Sequence, residues 1–156
     1  MASSPINLFF ERYPRFNHSP TNEAWSEYHR MVHSLGWKEK SKREKVARKR
    51  FRVAVVEQFG QMYGTDENNL NSLQRLSEKL HISPVPDSIK SCKKAIEKVH
   101  VNIMDFVDSE RTGDPVVTFK NPKRFREYTV ATGKIFPKKE AKESSLLRYL
   151  LRQVFV

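Results

Sequence analysis

Residues 38 to 59, KEKSKREKVARKRFRVAVVEQF, contain neither Gly nor Pro, the two residues least compatible with a helix interior. Through and just beyond this stretch, Ala47, Phe51, Ala54, Val55, Gln58, Phe59 and Met62 recur at the spacing of one helical face. The basic run and the apolar pattern therefore belong to one long helix, expected over residues 40 to 62. Setting Phe51 toward the core puts Lys42, Lys45, Lys49 and Arg52 on the opposite side, at spacings of three, four and three. The far side of the second half is Val53 and Val56. The helix is thus expected to be exposed at its basic start and buried on most sides near its end, with Gly60 and Gly64 marking its stop.

Other helices flank it. Pro5 suits a first helical position after Ser4, giving a short segment over 5–12 that breaks at Tyr13-Pro14, with residues 1–4 expected to be disordered. Trp25, Tyr28, Val32 and Leu35 define one face of the next helix, closed by Gly36. Thr65 is the expected cap of a helix carrying Leu70, Leu73, Leu76 and Leu80, and HISPVPD ends it. From Asp87 or Ser88 a further helix is predicted to about Glu110, with Ile89, Cys92, Ile96, Val99, Ile103 and Phe106 or Val107 inward. PVVTF, residues 115 to 119, reads as a strand without an evident partner. Asn121-Pro122 opens a short helix that Thr132-Gly133 ends, and Pro137 opens the last one, with Leu146, Leu147, Leu150, Leu151, Val154 and Phe155 inward. No repeat or linker divides the chain. The expected fold is one mostly α domain over 1–156, of five to seven helices with at most one short β element.

At 156 residues such a domain can bury a self-sufficient core, and seventeen aromatic residues supply large burial units. The single cysteine, Cys92, excludes an intrachain disulfide. MASSPINLFF lacks a basic leader and no apolar run reaches membrane-spanning length, so an intracellular setting is expected, nuclear if the chain binds DNA. Net charge is +11 and unevenly placed. Residues 38–52 hold nine Lys/Arg against two Glu, and residues 120–142 hold eight against two. These segments carry +13 between them and leave −2 for the rest, the distribution of a polyanion footprint. Aromatics are interleaved with both: Trp37 and Phe51 in the first, Phe119, Phe125, Tyr128 and Phe136 in the second. Basic side chains neutralise phosphates, and aromatics stack bases or simply pack. KSKREKVARKR also has the basic density of a nuclear-import signal.

Groups that carry chemistry elsewhere find structural readings here. His29 and His33, four apart on a helix, would face one metal ion, but the zinc-protease pattern has Glu where Arg30 stands. His81 and His100 read as packed, hydrogen-bonded imidazoles, and Cys92 as a core residue. Asp105, Asp108 and Glu110, near a predicted helix end, would hold Mg²⁺ or do acid–base work, or else pair with a cation such as Arg111. Asn102 either satisfies a neighbouring loop backbone or is presented to a base edge. No Gly-rich phosphate loop or nucleophile motif is present, so no enzyme activity, cofactor or metal is expected.

FGQMYGTD, VHVNIMDFVD and KIFPKKEAKESSLLRYLLRQVF resemble a family of uncharacterised fungal proteins that share YGT, VNI-D and FP--A--LLR-LL patterns. The resemblance covers most of the chain from Phe9 onward. It implies a fungal origin and an intracellular setting, and it carries no activity. The residues themselves point to a nucleic-acid-binding domain, for duplex DNA rather than RNA. Phosphates would be contacted by Lys42, Lys45, Lys49 and Arg52, helped by Lys123, Arg124 and Arg126. The competing reading is a protein-interaction module that docks an acidic partner, or self-associates through the apolar faces of 53–62.

Overall fold

Ser4 and Pro5 start the first helix as the sequence predicts, which takes Ser4 out of the expected disordered segment: its hydroxyl accepts the Asn7 amide at 3.2 Å and Pro5 fills the first helical position. This is a computed structural model, and it describes residues 4–151. Helix α1 (Pro5–Glu11) buries Ile6, Phe9 and Phe10 against α3 (Lys42–Tyr63), the 22-residue spine of the domain. The Gln58 carboxamide oxygen accepts the Ile6 amide at 3.1 Å and sets the register between the two helices. Ser41 caps α3 by accepting the Glu44 amide, so the helix starts two residues later than the apolar period predicts. Lys40, in a left-handed conformation at φ 64°, turns the chain there. Ala47, Phe51, Val55 and Phe59 form the buried face as expected. Gly60 lies inside the helix, and Gly64, at φ +84°, ends it. Val53 stays 43% exposed, so the end of α3 is not buried on most sides.

Helix α2 (Ala24–Ser34) is turned by about one position from its expected face. Ala24, Glu27, Tyr28 and Met31 point inward, while Trp25, Val32 and Leu35 are half-buried at the edge. The cause is Glu27, a buried carboxylate that accepts from Ser19 N and Arg30 and pairs with His18 at 3.0 Å. Apolar periodicity cannot register a polar anchor of this kind.

Helix α4 (Leu70–Lys79) is capped by Asn69 rather than Thr65. The Thr65 carbonyl instead accepts from Leu146 N and from the Ser145 hydroxyl, tying down the last helix. The single helix expected over 88–110 is two. After α5 (Ile89–Ile96) come strand β1 (His100–Val101) and α6 (Ile103–Thr112). β1 pairs antiparallel with β2 (Thr118–Phe119), His100 opposite Phe119 and Val101 opposite Thr118, which supplies the partner that PVVTF lacked. Asn102 makes the break. It is 3% exposed; its Oδ1 accepts from Met104 N and Asp105 N, and its Nδ2 donates to the Lys134 carbonyl at 3.0 Å. That is the backbone-satisfying role, not presentation to a base. Asn102→Ala removes a cap and strands a buried carbonyl, so it should cost about 2–4 kcal/mol in urea unfolding. A loss no larger than roughly 0.5 kcal/mol, as for a bland surface change, would contradict this.

Helix α7 (Pro122–Thr132) packs on the β1–β2 ribbon between its Asn121 cap and Gly133 at φ +71°. The segment opened by Pro137 is also divided, into a 3₁₀ turn (Lys138–Ala141) against α3 and helix α8 (Ser145–Leu151). Leu146, Leu147, Leu150 and Leu151 are buried; Val154 and Phe155 lie outside the described residues. The domain is mostly α, with eight α-helices and one two-stranded ribbon among the described residues. None of these helices is long and apolar enough to cross a membrane.

Candidate nucleic-acid interface

Around α3 each residue advances about 100°. With Phe51 buried, Lys45, Lys49 and Lys42 fall roughly 120° to 180° away, and all three are exposed. Arg52 departs from this stripe. It sits at about 100°, is half-buried, and lines a cleft instead of facing solvent. Its Nε is buried without a hydrogen-bond partner among the described residues. Burial, and then the charge of Arg48, hold its guanidinium below the usual arginine range.

The cleft has a volume of about 610 Å³. Trp25, His29 and His33 of α2 line one side, Glu44, Arg48 and Arg52 of α3 another, and Thr132, Gly133 and Ile135 a third. Trp37 and Glu39, between α2 and α3, complete the lining. Its floor is a rigid network. The Glu44 carboxylate accepts from the Tyr28 hydroxyl, from Arg48 and from Lys40 N. Burial pushes the Glu44 carboxyl up, but these three donors overcome it and hold the group at about 2. Burial, then the bond to Glu44, pushes the Tyr28 phenol well above its ordinary range. Trp37 stays half-buried, its ring edge-on to Tyr13 at 5.3 Å.

The second basic segment is dispersed. Lys134 is drawn inward, pairing with Asp105 at 2.6 Å and Glu23 at 3.4 Å. Lys123, Arg124 and Arg126 are exposed, but they sit at the start of α7, about 9–14 Å along the helix from the end that borders the cleft. The part that packs on α3 is the 3₁₀ turn, with Lys138 and Lys139 exposed on it. Of the interleaved aromatics, Phe51, Phe125 and Phe136 are buried and cannot stack on a ligand; Phe119 and Tyr128 pack on each other at 5.1 Å. Trp25 and Trp37 remain at the cleft. The apolar period of α2 assigns Trp25 to the core, whereas the structure leaves it half-buried in the cleft wall.

The other candidates are structural. His29 and His33 are exposed at the cleft, the His29 ring edge-on to Trp25 at 4.6 Å. Partial desolvation against the cleft wall holds the His29 imidazole below its ordinary value. Among the described residues no group of three His, Cys, Asp or Glu side chains is placed to hold a metal ion. His81 turns the chain after α4 in a left-handed conformation, and the His100 ring stacks on Phe125. Asp105 lies in the first turn of α6, not late in a helix, and binds the Tyr128 hydroxyl and Lys134. Glu110 pairs with Lys79 at 3.0 Å.

Asp108 accepts the Ala24 amide at 2.9 Å and lies 3.9 Å from Arg111, with its second oxygen buried and unpartnered. Burial wins over both partners and pushes its carboxyl up to about 6. A carboxyl raised on folding keeps its proton longer in the native state. Its contribution to stability is therefore complete below about pH 4 and is lost as pH rises to about 6, the reverse of a salt-bridged acid. Relative to Asp108→Asn, the wild type should lose about 2–3 kcal/mol across that window, read by urea unfolding at a series of pH values. A difference independent of pH would contradict the assignment.

No protein-family model, no curated protein and no solved structure matches this chain. The reading of the site therefore rests on its own chemistry.

Proposed function

We propose that this domain binds nucleic acid, holding phosphates on Lys42, Lys45 and Lys49. One observation carries the reading: three lysines share an exposed stripe of a single rigid helix, and among the described residues no carboxylate pairs with any of them. A helix whose other face is committed to the core cannot turn that stripe away, so the charge is available to a polyanion. Lys123, Arg124 and Arg126 are the further phosphate contacts of this reading, and the nucleus is its proposed setting. The test is anisotropy titration of a labelled DNA duplex, the corresponding single strand and RNA, each at a low and a doubled salt concentration. Three phosphate contacts predict that doubling the salt weakens binding about four- to sixfold. Failure of all three ligands to bind at low salt would refute the reading.

A second reading has its own support. Val46 and Val53, 46% and 43% exposed, continue around α3 between the lysine stripe and Arg50, with Arg43 beyond and the exposed Leu8 and Arg12 beside them. Apolar side chains among arginines suit an acidic, amphipathic protein partner. Binding by that face would persist at high salt and be lost on Val46→Asp with Val53→Asp, changes that leave the lysine stripe intact.

A further inference from the structure

Resting on the nucleic-acid reading, we infer that the cleft between α2 and α3 takes an unpaired nucleobase of a strand whose phosphates lie on Lys42, Lys45 and Lys49. The cleft lies beside the stripe on the same helix, because Glu44, Arg48 and Arg52 occupy the sector from about 20° to 100° that the lysines continue. Its charges balance: Arg48 and Arg52 share the lining with Glu39 and Glu44, two cations against two carboxylates. A neutral interior does not compete for phosphate; it suits an uncharged ring with polar edges. Two indoles, Trp25 and Trp37, offer π-surface for stacking, and the Arg52 guanidinium in the lining brings N–H donors suited to a base carbonyl or ring nitrogen. At about 610 Å³ the space falls within the ordinary range for small-molecule sites, and its open side lets the backbone remain outside. A base held in a duplex cannot enter without leaving its stack, so the site favours single-stranded or looped nucleic acid over a paired duplex.

Trp25 and Trp37 are the only tryptophans in the chain, so intrinsic fluorescence reports on the cleft directly. The experiment compares a short single-stranded oligonucleotide with an abasic strand carrying the same number of phosphates and with a duplex. The base-bearing strand should quench tryptophan fluorescence and bind roughly 5- to 150-fold more tightly than the abasic strand, the range for stacking of a single base. Trp37→Ala and Arg52→Gln should each reduce that preference while leaving the affinity for the abasic strand unchanged. The ligand comparison stands even where a variant fails to fold. Equal binding of base-bearing and abasic strands, without quenching, would overturn the inference and leave phosphate binding by the lysines intact. Absence of binding by every strand would instead overturn the nucleic-acid reading beneath it.

Discussion

Replacing Lys42, Lys45 and Lys49 together by glutamate should abolish nucleic-acid binding without harming the fold. Three phosphate contacts contribute about 2.1 to 2.7 decades of affinity near 0.1 M salt, so losing them costs roughly 100- to 500-fold before any repulsion from the new carboxylates. The fold should tolerate the change because all three side chains are exposed. It should even benefit slightly. Lys42 and Lys45 lie in the first turn of α3, where positive charge opposes the helix dipole and where only Glu44 among the acids is found. Acidic residues there typically add about 0.3–1 kcal/mol each. A variant that melts at or above the wild-type temperature and no longer binds would show that the basic start of α3 serves a ligand. Wild-type affinity in the triple variant would make the stripe a solvated face and move the acidic-partner reading to first place.

Phe51→Ala should lower the unfolding free energy by about 3–5 kcal/mol, a large share of the roughly 5–15 kcal/mol that holds a typical domain together. Phe51 is fully buried where three helices meet. Its ring centre lies 5.4 Å from Phe9 and 6.2 Å from Phe10 of α1, and 5.0 Å from Tyr28 and 6.4 Å from Trp25 of α2. No single neighbour can fill a void lined by four rigid rings, so the cavity cost adds to the lost transfer energy. Urea unfolding of the two proteins measures it. A difference below about 1 kcal/mol would mean that the cluster collapses around the gap, contrary to its packing.

The long α3 helix could be read in advance because its period, its lack of Gly and Pro and its large apolar side chains all agree. The division between α5 and α6 could not. Ile96, Val99 and Ile103 continue a helical spacing across it, and Asn102 looks like a polar residue inside a helix unless its neighbours are known. Only the pairing of His100 and Val101 with Phe119 and Thr118 reveals it as a cap at the end of a strand. The lysine stripe was legible for the reason α3 was, since a helical wheel fixes angles. Arg52 lay beyond that method: an angle does not say what packs above it, and the elements there are α2 and the segment after α7. The cleft joins side chains from residues 25–39, 44–52 and 132–135, and no local pattern announces such a meeting.

The central claim, that Lys42, Lys45 and Lys49 hold phosphates, is tested most directly by the salt dependence of binding in the wild type and in a triple Lys→Ala variant. Plotted as log affinity against log salt, each phosphate contact contributes a slope of about −0.7 on single strands and −0.9 on duplex DNA. Whatever other contacts exist, the variant's slope should be shallower than the wild type's by about 2.1 to 2.7. Two parallel lines would contradict the account.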